Sequence, residues 1–121
     1  MRYQKLTGTT NGTGDVTITG DSPISGLLFA VEWIDGDLDN NNTAVLSAIN
    51  TASGVDRVLL TIGAGEGDAD KMYYVRELEH DNACTALATH TYPVIDGYIK
   101  LVIASGGSAK TGGCVIHWFE M

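Results

Sequence analysis

Apolar and polar residues alternate along this chain in short runs, separated by clusters of glycine, asparagine, aspartate and proline. Such a pattern predicts strands joined by turns, because side chains on a strand point to opposite faces with a period of two. Residues 15–19, Asp-Val-Thr-Ile-Thr, show it simply: Val16 and Ile18 share one face and the two threonines the other. Residues 26–34 make the strongest strand, with Leu27, Phe29, Val31 and Trp33 on one face and Leu28, Ala30, Glu32 and Ile34 on the other. Both faces are mostly apolar, which predicts a central strand covered on both sides near its start. Glu32 marks where the second face meets water.

Further strands are predicted over 2–7, 43–49, 57–62, 72–78, 98–104 and 114–119. Val45, Leu46 and Ile49 also fit one face of a helix, but that segment is short and ends in Thr51-Ala52-Ser53-Gly54, which favours a strand. In 57–62, Val58, Leu60 and Ile62 face one way. The last two strands read as a hairpin around the Gly/Ser-rich stretch 105–113. Residues 8–14, 20–23, 35–42 and 63–70 are loops by composition, and 79–91 reads as irregular, with one helical turn around Cys84 to Ala88. About eight short strands without a long amphipathic helix predict an all-β fold, an antiparallel, jelly-roll-like β-sandwich. The expected core includes Phe29, Val31, Leu60, Ile99, Leu101 and Ile103. No segment repeats at a fixed period, so residues 1–121 read as one domain, with 1–7 an N-terminal arm or an edge strand.

Composition sharpens this picture. A chain of 121 residues, 44% of them apolar, has enough material for one core without staples. Fifteen glycines against two prolines fit many tight turns. The formal charge of −8 disfavours phosphate backbones and anionic membrane surfaces, so neither nucleic acid nor membrane is expected as a partner. The first residues lack the apolar stretch of a signal peptide, and the longest apolar run, Leu27 to Val31, is far short of the roughly 20 residues that span a bilayer. Synthesis in a cytoplasm is the expectation, with export only as part of a particle. Cys84 and Cys114 have neither zinc spacing nor a disulfide framework around them, and read as thiols with at least one buried.

Candidate chemistry is sparse. No nucleophile elbow, metalloprotease helix or phosphate-binding loop occurs. Residues 63–67 are glycine-rich, but Glu66, Asp68 and Asp70 oppose a phosphate. Asp35, Asp37 and Asp39 place carboxylates at alternate positions, as calcium prefers, yet the loop departs from the EF-hand pattern at Asn40 and Leu46. A solvated acidic turn is the plainer expectation, with no bound metal and no cofactor. His80, Cys84 and His90 make a second conceivable metal set against the plainer reading of an exposed polar loop. His117, between Ile116 and Trp118, reads as half-buried or at an interface rather than as a general base. Trp33, Trp118, Tyr73, Tyr74, Tyr92 and Tyr98 belong to the core or an interface, or else form a sugar-stacking platform.

The order of these features resembles small β-sandwich structural proteins of tailed phages, of the head auxiliary or capsid decoration kind. The resemblance is carried by Val16-Thr17-Ile18-Thr19, by the run from Pro23 to Ile34 with its Pro-x-x-Gly turn, by the glycine-rich gap before Met72-Tyr73-Tyr74-Val75-Arg76, by Tyr92 to Ala104, and by the final strand from Cys114. The acidic loop 35–42 and residues 79–90 have no counterpart in it. The resemblance implies a non-enzymatic virion protein on the capsid exterior, bound to the major capsid protein in many copies. A homo-oligomer is expected, a trimer as the first guess. Arg2, Tyr3, Lys5, Leu6 and Trp118 are the candidate partner-binding residues, since Arg2 and Lys5 are two of only seven basic residues and Tyr3 and Leu6 have no place in the alternating core pattern. The alternative from another class is a carbohydrate- or receptor-binding module of a phage tail or baseplate, or a lectin-like protein. It would use calcium at Asp35, Asp37 and Asp39, with Trp33 or a tyrosine for stacking.

Overall fold

Strand-forming runs cannot bury an apolar face alone, and here they do so by folding one sheet over on itself. The computed structural model describes residues 1–80 and 86–120, which form ten strands and no helix. They are β1 (Arg2–Thr9), β2 (Val16–Thr19), β3 (Ile24–Ile34), β4 (Thr43–Asn50), β5 (Asp56–Ile62), β6 (Lys71–Tyr73), β7 (Glu77–His80), β8 (Ala86–Thr91), β9 (Val94–Ala104) and β10 (Thr111–Glu120). Eight belong to one antiparallel sheet with the path β1-β10-β3-β9-β4-β5, while β2 pairs with β9 and β6 with β3. The remaining two, β7 and β8, form a separate two-stranded sheet among the described residues.

The sheet splits where β3 meets β9. They pair only from Ile24 to Leu27; beyond that, β9 takes β2 along the same edge and β3 takes β6. Gly97 stands at this junction, opposite both Ile24 and Asn50. Its φ is +153°, and a Cβ there would overlap the Ile49 carbonyl oxygen, so the crossing depends on glycine. The two wings close on a common core. Leu6, Leu28, Val31, Trp33, Cys114 and Ile116 meet Ile95, Ile99, Leu101, Ile103, Leu46 and Ile62 in one buried cluster, giving a β-sandwich-like all-β fold.

Several local expectations change. The strand at 43–49 forms as expected, and its alternate residues Ala44, Leu46 and Ala48 are buried. The expected hairpin of the last two strands does not form: β9 pairs with β2, β3 and β4, and β10 with β1 and β3. Their connection crosses between wings, and it is held instead by other loops, through Gly106 N–H to the Gly14 carbonyl and Asp39 N–H to the Gly106 carbonyl. The strand expected over 72–78 is two pieces, β6 and the start of β7, and much of 79–91 lies in β7 and β8. Ala86 to Ala88 are strand rather than helical turn, and Cys84 lies outside the described residues.

Two β-bulges account for the misassigned core residues. Ala30 faces His117 and Leu28 faces Trp118, so Phe29 is an extra residue on β3. An extra residue reverses the alternation. Leu28 points inward before it and Val31 and Trp33 after it, while Phe29 is half-buried on the outer face. The second bulge lies between Leu46 and Ser47 of β4, whose partners are Leu60 and Val58. It turns Leu59 into the core and Val58 out to water, while Leu60, opposite Leu46, stays on the core side and is half-buried. Val31, Ile99, Leu101 and Ile103 are buried as expected.

Candidate functional site: an edge strand and its cleft

Residues 2–9 carry polar and small side chains apart from Tyr3 and Leu6, which suits a sheet edge. In the structure β1 is the outermost strand of the path, paired along its length with β10 from Arg2–Trp118 to Thr9–Thr111. It is a strand of its own sheet rather than a projecting arm. Leu6, expected to face a partner, is 1% exposed and belongs to the core opposite Cys114. The strand's alternation therefore does include a core residue, one whose significance a lone leucine among polar neighbours could not show.

The other candidates gather at one end. Tyr3 is 73% exposed, with its ring centroid 6.4 Å from that of His117. Arg2 Nη1 donates to Glu120 Oε2 at 3.3 Å, both side chains largely in water, and Lys5 is exposed further along. A cleft of about 370 Å³ opens beside them, lined by Arg2, Tyr3, Gln4, Ser22, Ile24 and Trp118 among others. Gln4 crosses its floor and donates from Nε2 to the Ser22 carbonyl at 3.3 Å. Trp118 is only 7% exposed, so it forms a wall rather than an open stacking platform. Arg2 and Lys5 put positive charge at one edge of a strongly acidic molecule.

His117 is half-buried as expected. Among the described residues its Nε2 has no hydrogen-bond partner, and it stands 3.8 Å from Glu32 Oε1, beyond hydrogen-bond reach. On the same outer face, Phe29, Tyr74, Tyr92 and Phe119 pack edge-to-face or tilted with centroids 5.3 to 6.2 Å apart. The Arg76 guanidinium lies 4.2 Å from the Tyr92 ring centroid and donates from Nη1 to the Phe29 carbonyl at 2.8 Å. Sequence reasoning passed over Arg76, and the Phe29 bulge that brings this carbonyl to it had no sequence signal.

The three aspartates of loop 35–42 do not converge. Asp37 accepts from Thr111 N–H at 2.6 Å, and the Asp39 carboxylate lies over Gly107. Asp35 instead faces loop 63–70, where Asp70 Oδ1 accepts its N–H at 2.9 Å and Asp68 Oδ1 accepts the Asn41 N–H at 3.2 Å. Burial, then the charges of Asp68 and Asp70, push the Asp35 carboxyl above the ordinary value, against the neighbouring Asn42 amide. Among the described residues, no three Asp, Glu, His or Cys side chains gather to hold a metal ion. The set His80, Cys84 and His90 falls partly outside the described residues; His90 is exposed on β8. Trp33 is 0% exposed and donates from Nε1 to the Gly67 carbonyl at 2.9 Å, which removes it as a sugar platform.

No protein-family model matches this chain, and no curated protein sequence does.

Proposed function

We propose that this chain is a non-enzymatic structural protein of a tailed-phage particle, a capsid decoration protein that docks on the major capsid protein through β1 and the cleft beside it. The observation that carries the docking surface is the edge position of β1, with Arg2, Tyr3 and Lys5 outward. An unpaired strand edge offers main-chain N–H and C=O groups to a partner strand, and flanking side chains supply selectivity. The virion assignment rests on the resemblance in strand and turn order, and the acidic surface suits a particle exterior. As a homo-oligomer, with a trimer as the starting hypothesis, the module would add buried area at each lattice junction.

Co-sedimentation with capsids assembled without the chain tests this reading, with sedimentation equilibrium reporting the oligomeric state. The full chain should bind in many copies per particle. Tyr3→Ala combined with Lys5→Glu should remain folded and lose most of that binding. Failure of the full chain to co-sediment would overturn the decoration reading; undiminished binding by the double variant would move the docking surface elsewhere.

A further inference from the structure

The docking reading uses the wing that ends in β1 and leaves the outer face of the other wing without a role. There β2, β9, β4 and β5 lie side by side. Alternate residues of a strand turn away from the core, and on a solvated face they are usually polar. This face departs from that rule. Val102 stands beside Val45, Tyr98 beside Ile49, and Val58 beside the small Ser47. Val58 and Tyr98 are 57% and 41% exposed, while Val45, Ile49 and Val102 are half-buried. Four strands spaced about 4.8 Å apart and about six residues deep cover roughly 400 Å². An apolar patch of that size on a soluble protein commonly serves a contact.

Charge indicates what covers it. The chain carries a formal −8, so two copies repel wherever carboxylates face one another. Among these outward residues the charged side chains are Lys100 and Asp56, and they pair with each other. An acidic or a basic partner would find no net charge here to match. A second copy of the chain would. Lys100 lies on β9 and Asp56 on β5, on opposite sides of β4. A two-fold axis running along β4 therefore lays β9 of one copy over β5 of the other. It brings Lys100 within diagonal reach of the second copy's Asp56 and stacks Val45, Ser47 and Ile49 on their own counterparts. Two ion pairs become a ring of four charges of alternating sign, so none is buried unpaired.

We propose that this face joins a second copy of the chain, sheet on sheet, in a two-fold dimer centred on β4. The patch is small for an obligate interface, so the dimer forms in a concentration-dependent way, with Kd on the order of 10 µM. A three-fold ring would need two different surfaces that match, whereas this one matches itself. The dimer leaves β1 open and does not rest on the docking reading.

Sedimentation equilibrium on the full chain, without capsids, tests this. The parent should pass from monomer to dimer between about 1 and 100 µM. Val58→Glu, at an exposed position, should keep the parent's circular dichroism and weaken dimerisation by about tenfold or more. Charge exchange supplies the comparison that a folding defect cannot mimic. Lys100→Asp alone and Asp56→Lys alone set like charges across the axis, and each should stay monomeric where the parent dimerises. Mixed together they should form a heterodimer, since every facing pair then has opposite sign. Tyr3→Ala combined with Lys5→Glu should dimerise like the parent, which separates this face from the docking edge. A parent that stays monomeric at about 1 mM, or that forms trimers, overturns the proposal. So does a dimer that Val58→Glu leaves intact, and so does failure of the two charge variants to associate on mixing. A monomeric parent that still decorates capsids would sink the dimer and leave the docking reading standing.

Discussion

Cys114 shows how strongly the core acts on a single group. It lies between the wings, and burial pushes its thiol from 9.0 up to about 12. Across that window the native chain keeps a proton that the unfolded chain has released, so stability falls as pH rises from 9.0 toward 12, and no loss from this group occurs below 9.0. In a Cys84→Ser background, Cys114 should resist a thiol-specific reagent in the native state at mildly alkaline pH and react fully once denaturant is added; rapid native labelling would contradict the burial. Asp35 behaves in the same sense at acid pH. Its raised carboxyl holds more protons in the native state above 3.8, so ionisation at higher pH costs stability. Asp35→Asn should therefore melt higher than the parent at neutral pH, and the difference should fade below pH 3.8. Large side chains divide by the bulges in the same way. Leu101→Ala should cost about 2–5 kcal/mol in urea unfolding by transfer and cavity terms. Phe29→Ala should cost less, because Phe29 is half-buried on the outer face.

For the strands, the decisive feature is where alternation breaks. Residues 26–34 read as one uninterrupted strand, and each residue's face follows from parity until a bulge intervenes. The extra residue at Phe29 is visible only from the partner, where the register slips between His117 and Trp118. Arg57 to Ile62 fails for the same reason, with the slip lying opposite Leu46 and Ser47. By contrast, β2 and β9 contain no bulge in their pairing, and Val16, Ile18, Ile99, Leu101 and Ile103 all take the side their spacing predicts. The strand β1 was legible as a strand or an arm but not as a contributor to the core. Its eight residues pair with β10 and Leu6 is buried, so removing residues 1–7 should abolish the cooperative thermal transition rather than yield a folded domain. Circular dichroism on the truncated chain decides this, and a melting curve like the parent's would restore the arm.

The molecule as a whole joins its ends. The first strand of the sheet, β1, pairs with the last, β10, and β3 reaches both β9 and β10, so most of the sheet requires contacts distant in sequence. Non-local pairing imposes loop-closure entropy before contacts compensate it, and stopped-flow refolding should run on the millisecond-to-second scale. A microsecond phase carrying the full amplitude would contradict this topology. The same non-local closure assembles the candidate docking edge and brings the two acidic loops together. Arg2 and Tyr3 lie beside Trp118 and Glu120 because β1 and β10 pair. Asp35 meets Asp68 and Asp70 because loop 63–70 folds over Trp33.

From sequence alone, the alternation determined that this chain is all-β and antiparallel, and it placed most of the strands, because burial of one face imposes a period of two on residue choice. The scarcity of basic residues singled out Arg2 and Lys5, which do face water, but nothing in the sequence separated outward Tyr3 from buried Leu6. The tertiary structure decided which strands are neighbours, where the bulges reverse a face, and which aspartates meet. Those outcomes depend on pairing between distant segments, and the local sequence of Phe29, Leu59 or Asp35 carries no record of the partner that each one finds.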